Sequence, residues 1–160
     1  MKRITLTVGA TSVGCPGHGG WAYILRYGQH SLDRSGGSSD VTKGRMELQA
    51  LLEGFKAIKE PCDVVLFSES QHLVDGLTGW RKEWRLTLFT RLRVQSHLPL
   101  ADGDLWEELD PLAEKHFLAG KCVRRLSGDQ DMERCLALAE AQAVLHGAVP
   151  SWSSLVDQAA

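Results

Sequence analysis

The most constraining feature of this sequence is a single change in the spacing of its apolar residues, from a strand-like to a helical pattern. Residues 3–8 are rich in β-branched side chains and run into a glycine-dense turn. Segments 21–27 and 30–38 are also strand-like, with a turn at 28–29 between them. Over 45–59 the apolar residues then recur at helical spacing. This order predicts three antiparallel strands followed by an amphipathic helix.

Helical and strand-like segments alternate after the first helix. The continuous apolar run 64–67 predicts a strand that is covered on both faces of a sheet. Ser68 is predicted to cap a helix that continues to about Gly76. Another short helix is predicted to start near Leu77 or Trp80. A helix pair therefore follows the fourth strand.

The last part of the chain contains one more strand between two helices. Residues 94–104 are loop-like, 104–116 form a helical pattern, and 121–126 form a strand-like one. Asp129 or Asp131 is predicted to cap the final helix, which carries an apolar stripe. The whole order predicts an α/β fold with a five-stranded mixed sheet, three antiparallel strands and then parallel strands, with helices on both faces.

Length and composition limit the class of protein. The chain has 160 residues, is 43% apolar and 24% charged, and carries a formal net charge of −2. These values fit one folded domain and exclude a disordered, collagen-like or coiled-coil chain. We predict a domain over 1–147 and a C-terminal tail over 148–160. The apolar run 4–8 is too short for a signal peptide or a membrane span, so we expect a cytoplasmic protein with no membrane contact.

One segment concentrates positive charge. Between residues 81 and 93, five cations stand against one acid, a local excess of +4. The cations are Arg81, Lys82, Arg85, Arg91 and Arg93, and the aromatic residues Trp80, Trp84 and Phe89 interleave with them. Such a composition suits an element that contacts phosphates and stacks on nucleic acid. A solvated helix face explains the same charges, so both interpretations stay open.

Five short motifs follow one another along the chain. They are Gly14-Cys15-Pro16-Gly17-His18-Gly19-Gly20-Trp21, Gly44-Arg45-Met46-Glu47-Leu48, Ser68-Glu69-Ser70-Gln71, Asp104-Leu105-Trp106 and Glu133-Arg134-Cys135. In this order and spacing, over about residues 3–147, they resemble the motifs of type 1 ribonuclease H. The resemblance implies the ribonuclease H fold and hydrolysis of the RNA strand of an RNA/DNA hybrid. It also implies two divalent ions, Mg²⁺ or Mn²⁺, held by four carboxylates.

Two of the four carboxylates that the resemblance implies are present. Glu47 keeps the second position, and Glu69 stands where the family has aspartate. The first position falls on Gly9 and the fourth on Leu136, so both of these acids are lost. The family's loop histidine is also missing from the shortened loop at 128–131. We therefore predict that hydrolysis is absent or very weak, with Glu47 and Glu69 as remnants of a metal site.

Acidic residues before the last helix leave an alternative open. Asp129, Asp131 or Glu133 could approach Glu47 and Glu69 and rebuild a metal site. Acids at a helix N-terminus also cap the helix and complement its dipole, which is the simpler interpretation.

The resemblance also implies a nucleic-acid interface, which this chain keeps unevenly. Thr42 and Gln71 are retained, Lys43 and Gly44 replace two asparagines, and Asp102 replaces an asparagine partner of Thr42 in a phosphate pocket. The remaining residues of the predicted interface are Ser12, Trp80, Trp84, Arg85, Arg91 and Arg93.

Three functional hypotheses follow from these residues. In the first, the chain has lost most or all hydrolytic activity and binds nucleic acid, either an RNA/DNA hybrid or another duplex, or a protein partner. In the second, it is an active hybrid-specific ribonuclease with a rebuilt acidic site. In the third, it is a protein-interaction scaffold without a nucleic-acid role.

Overall fold

The computed structural model describes residues 2–14, 17–86, 90–93, 96–99, 102–123 and 128–159, with the backbone alone at 14, 90–93, 96–99 and 147–159. It contains the predicted five-stranded mixed sheet, in the order β3-β2-β1-β4-β7, and a separate two-stranded ribbon of β5 and β6. The strands are β1 Arg3–Gly14, β2 Gly17–Tyr27, β3 His30–Val41, β4 Asp63–Ser68, β5 Thr90–Arg93, β6 Ser96–Pro99 and β7 Phe117–Cys122. The first three pair antiparallel, and β4 lies parallel between β1 and β7.

Five α-helices and one π-helical turn connect and cover these strands. They are α1 Lys43–Ala57, α2 Gln71–Asp75, the π-helical turn Gly76–Trp80, α3 Arg81–Leu86, α4 Gly103–Ala113 and α5 Gln130–Ala159. The helices lie on both faces of the sheet, as predicted, with α1 packed on one face of β1 and β2 and α5 on the other. The main core lies between the sheet and α1 and α4.

Local hydrogen bonds set the helix starts, and one predicted cap is wrong. Thr42 caps α1, because its hydroxyl accepts from the backbone N–H of Arg45 at 3.2 Å. Ser70, and not Ser68, caps α2: the Ser70 hydroxyl accepts from the N–H of Leu73 at 3.2 Å. Ser68 ends β4, where its hydroxyl accepts from the N–H of Ser70 at 3.0 Å.

Strand pairing shifts two other predictions. The last strand covers residues 117–122 and not 121–126, because Phe117 through Cys122 pair in register with Asp63 through Ser68 of β4. Most side chains of this edge strand are exposed, so it carries little apolar signal of its own. In β4, Val65 and Phe67 are half-buried while their neighbours are buried, so the run is not fully covered on both faces. Within the loop-like segment 94–104, residues 96–99 form β6.

Small residues let α5 lie close to the sheet. A Cβ atom added at Gly20 of β2 would stand 1.8 Å from the carbonyl oxygen of Ala139. At Gly37 of β3 it would stand 2.6 Å from the His146 ring. These glycines leave a shallow groove on this face of the sheet, and α5 packs into it.

The last helix extends beyond the predicted domain boundary. Its backbone stays helical to Ala159, where the sequence showed no readable period. The division at residue 147 remains a prediction. Within the described residues, no helix is long and apolar enough to cross a membrane.

Candidate active site and nucleic-acid interface

Glu47 is a buried carboxylate at the start of α1, with only 11% of its side chain exposed. Burial raises its pKa, the nearby positive charge of Lys43 opposes this rise, and the negative charge of Glu69 adds to it. The Lys43 ammonium lies 3.7 Å from the Glu47 carboxylate, one helical turn away. The hydroxyl of Ser70 also favours the ionised form. Glu69 therefore lies close enough to Glu47 to influence its pKa.

Gly9 of β1 marks the place where the first family carboxylate is missing. A Cβ atom added there would lie 3.0 Å from the Cβ of Cys135. It would also lie 3.2 Å from the Cys135 carbonyl carbon and 3.3 Å from the Leu136 nitrogen, both in the α5 backbone. These contacts are tighter than side chains ordinarily make, so α5 must shift by a few tenths of an ångström to admit any side chain at this position.

Leu136, at the fourth family position, belongs to the core. It is 8% exposed and packs with Val123 and Met132, and Phe67 of β4 packs against this group. The neighbouring Cys135 is buried, and its burial raises the pKa of the thiol to about 12. The α5 surface over the sheet is therefore apolar where the family carries a carboxylate.

Two of the acids offered for a rebuilt site, Asp129 and Asp131, are held by other partners. Asp129 caps the helix, with its carboxylate accepting from the N–H of Met132 at 3.0 Å. Asp131 accepts two hydrogen bonds from the guanidinium of Arg26 on β2, at 2.7 and 3.0 Å. Neither contact involves Glu47.

The residues present do not fit two divalent ions. Two ions held in a bimetallic site need several carboxylate ligands to offset their mutual repulsion. Across the part of the chain that the structure describes, no three histidine, cysteine, aspartate or glutamate side chains group closely enough to hold one metal ion. Glu47 instead has the ammonium of Lys43 beside it.

The phosphate pocket that the resemblance implies is occupied by an ion-pair cluster. Arg45 donates to both carboxylate oxygens of Asp104, at 3.1 and 2.8 Å, and to Asp102 at 3.2 Å. Two carboxylates and one guanidinium leave a net charge of −1, which repels a phosphate. Thr42 lies beside this cluster, with its hydroxyl committed to the α1 cap. The sequence analysis missed the role of Arg45, whose acids are distant in sequence.

Other predicted contact residues also have partners within the protein. The Gln71 amide donates to Asp75 at 2.8 Å, within the same helix. Lys43 is about half exposed, and a side chain added at the neighbouring Gly44 would meet no atom within 4 Å. Ser12, in β1, is half-buried. The accessible part of this surface is therefore the first turn of α1.

Trp80 and Trp84 belong to an aromatic cluster that extends from the core to the surface. Trp106 is buried, Trp84 lies 5.0 Å from it between ring centroids, and Trp80 lies 6.0 Å from Trp84. The His72 ring joins the same cluster, 5.4 Å from Trp80. Trp80 is 41% exposed, so it is the tryptophan of this cluster with a face available to a ligand.

The cations of α3 are engaged in a network with α4. Arg85 donates to both carboxylate oxygens of Asp110, at 2.6 and 2.7 Å, and contacts Glu114 at 2.8 Å. Buried Arg81 binds the same two acids. These contacts lower the pKa of Glu114 below its ordinary value. The positive charge of Arg85 is therefore balanced by two acids of the protein. The sequence interpretation had left this charge available for phosphates.

Arg91 and Arg93 lie in β5, where they pair with Leu98 and Ser96 of β6. The ribbon thus places both arginines on an element outside the main sheet.

Comparison with known proteins places this fold among ribonuclease H structures. LC9-RNase H1, described as a type 1 RNase H with the type 2 active-site motif, superposes with a TM-score of 0.77 at 21% identity, over 91% of this chain and 74% of that one. A foamy viral protease-reverse transcriptase in complex with an RNA/DNA hybrid superposes with a TM-score of 0.66 at 15% identity, over 89% of this chain and 20% of that one. At these identities the likeness concerns the fold.

Sequence similarity is stronger and defines the family. The RNase H family model matches residues 1–144. Ribonuclease H of Chelativorans sp. (strain BNC1) is 38% identical over 141 residues, covering 88% of this chain and 85% of that protein. Ribonuclease H of Erythrobacter litoralis (strain HTCC2594) is 35% identical over 145 residues, covering 91% of this chain and 99% of that protein. The chain belongs to the ribonuclease H family.

Proposed function

We propose that this chain is a ribonuclease H family member that has lost hydrolysis of RNA/DNA hybrids and acts by binding duplex nucleic acid. The observation that carries the loss is the contact of α5 with Gly9. An inactive site that had only exchanged one acid for a neutral residue would keep the room for a metal ligand. Here a side chain at position 9 would meet Cys135 and the backbone of α5 at 3.0–3.3 Å from its Cβ atom.

The two remaining carboxylates support the same proposal. Glu47 is buried and has the Lys43 ammonium 3.7 Å away, so its negative charge is already balanced by the protein. Glu69 is close enough to raise the Glu47 pKa. One pair of acids beside a lysine favours a cation far less than four converging carboxylates do.

The duplex-binding part rests on a smaller surface than the sequence indicated. Lys43 and Trp80 are accessible, and Arg91 and Arg93 stand on the ribbon. Arg85 is held by two acids, and the Arg45 cluster carries a net negative charge. Few phosphate contacts predict weak binding with a shallow salt dependence and little discrimination between hybrid and other duplexes.

A cleavage assay tests the first half of the proposal. An end-labelled RNA/DNA hybrid is incubated with the full chain in Mg²⁺ and separately in Mn²⁺, beside an active ribonuclease H. We expect no cleavage by the chain under conditions where the active enzyme completes the reaction. Metal-dependent cleavage that disappears in Glu47→Gln would refute the proposal and favour a rebuilt acidic site.

A binding assay tests the second half. Fluorescence anisotropy of labelled hybrid and DNA duplexes is measured at low salt for the wild type, Trp80→Ala and the exposed control Lys121→Ala. We expect Trp80→Ala to weaken both duplexes, because the exposed indole no longer packs against the sugar-phosphate backbone, with the control unchanged. Failure of the wild type to bind either duplex at low salt would contradict duplex binding and leave the scaffold hypothesis.

A further inference from the structure

Lys43 is a cation in the first turn of α1, where helix electrostatics disfavours positive charge. The N-terminal end of a helix carries a partial positive charge, so acids are expected there, and α1 has none in its first turn. The ion pair of Lys43 and Glu47 also has the weaker order, with the lysine N-terminal to the glutamate. Stabilisation of the helix therefore does not explain the lysine at this position.

The Lys43 ammonium stands between a buried acid and the solvent. It lies 3.7 Å from the Glu47 carboxylate, and the lysine side chain is 46% exposed. Burial and the nearby acid Glu69 raise the pKa of Glu47, and the positive charge of Lys43 opposes this rise. An ammonium group has three N–H donors, so those that are not directed at Glu47 remain available to a ligand.

Glu47 is within reach of a small ion despite its burial. Together with Ser70 and His72 it lines a cavity of about 200 Å³. The other cation of the first turn, Arg45, is held by acids of its own and does not balance Glu47. The charge of Lys43 is therefore the one that repels a divalent ion from this carboxylate.

We propose that the Lys43 ammonium takes the place of a divalent ion at this site: it balances the acids Glu47 and Glu69, and it offers its remaining N–H donors to a backbone phosphate of a bound duplex. The phosphate contact rests on the proposed function, whereas the exclusion of the ion does not. A cation that is covalently attached to the chain is present at every ion concentration. Duplex binding therefore needs no Mg²⁺.

Electron paramagnetic resonance of free Mn²⁺ tests the exclusion of the ion on the full chain. Titrations compare the wild type with Lys43→Met, which removes the charge, and with Lys43→Arg, which keeps it. Lys56→Met makes the same change in the same helix, beside the acids Glu53 and Glu108, and is the matched control. The double variant Lys43→Met/Glu47→Gln shows whether a gained ion is bound at Glu47. Circular dichroism confirms that each variant is folded.

We expect Lys43→Met to bind Mn²⁺ about tenfold more tightly than the wild type, because a unit charge beside the carboxylate no longer repels the ion. The double variant should lose this gain. Lys43→Arg and Lys56→Met should stay within about twofold of the wild type, since the first keeps the charge and the second changes an exposed pair. Equal Mn²⁺ affinities of the wild type and Lys43→Met would overturn the proposal, because the ammonium would then not be what excludes the ion.

Anisotropy of a labelled RNA/DNA hybrid, in EDTA and in Mg²⁺ at constant ionic strength, tests the phosphate contact. The wild type should bind no more tightly in Mg²⁺ than in EDTA. Lys43→Met should bind more weakly in EDTA, with a salt slope about one unit smaller, and should regain affinity in Mg²⁺. Wild-type binding that requires Mg²⁺ would overturn the proposal. If the wild type binds no duplex in either solution, the proposed function fails, and the Mn²⁺ titrations alone decide whether Lys43 replaces the ion.

Discussion

Replacement of Gly9 by aspartate, which restores the first family carboxylate, is expected to destabilise the fold and not to restore hydrolysis. The added Cβ stands 3.0 Å from the Cys135 Cβ and 3.2 Å from its carbonyl carbon. Because a helix backbone cannot rotate away as a side chain can, this overpacking costs about 1–3 kcal/mol. An unpaired carboxylate in the same buried place adds several kcal/mol, on the order of 3. The sum is comparable with the whole stability of a small domain, about 5–15 kcal/mol.

Urea denaturation followed by circular dichroism measures this cost. Gly9→Ala isolates the steric part, and the difference between Gly9→Ala and Gly9→Asp isolates the buried charge. Gly44→Ala is the control, because a side chain there meets no atom within 4 Å. As an alanine within a helix, it is expected to be neutral or to stabilise by up to about 1 kcal/mol.

The refuting result is a Gly9→Asp variant that is as stable as the wild type. If that variant also gained Mg²⁺-dependent hybrid cleavage, α5 would have to move away from the sheet at little cost. The loss of hydrolysis would then rest on the missing acid alone, and not on the position of the helix.

Three further predictions concern groups that the structure buries fully or in part. Arg81→Met removes a buried partner of Asp110 and is expected to lower the free energy of unfolding by about 3 kcal/mol. Part of this loss should be recovered in the double variant Arg81→Met/Asp110→Leu. An unchanged denaturation midpoint would contradict the prediction. Burial lowers the pKa of His116, so the folded state favours its neutral form; stability is complete above the unfolded pKa of about 6.5 and falls as the pH drops below it. The fall between pH 7.5 and 5.5 should be smaller in His116→Phe, and an equal fall would show that other groups cause it. In a variant whose only cysteine is Cys135, the thiol should react with a disulfide reagent at pH 8 only after unfolding in urea. The reason is that burial raises the pKa of this thiol to about 12. Fast reaction of the folded protein would be inconsistent with the packing of α5.

Much of the fold could be predicted because its signals are local. The helical spacing over 45–59 falls on α1 except for its last two residues, and the order of segments predicts the five-stranded mixed sheet. The acids at the candidate site could also be recognised from their place in motifs, since Glu47 lies near the start of a helix and Glu69 follows a strand. The capping serine was misassigned because Ser68 and Ser70 are both suitable residues, and only the hydrogen bonds distinguish them.

The partners of charged side chains could not be predicted in the same way. Arg85 and Asp110 are 25 positions apart, and Arg45 and Asp104 are 59 apart. No spacing rule in a sequence reports such pairs, so a run of cations resembled a phosphate-binding surface. The last strand was predicted at 121–126 and lies at 117–122 for a related reason, because its position is set by pairing with β4.

The sequence by itself determined which residues stand at the four family positions: Gly9 and Leu136 supply no side-chain carboxylate in any fold. The tertiary structure alone decided how far the loss extends. The distance between α5 and β1 depends on packing along the glycines of the sheet, with Cys135 against Gly9 and Ala139 against Gly20. In that packing a side chain at position 9 would meet α5 at close range, because the distance between a helix and a sheet follows from side-chain volumes that meet only in the folded chain.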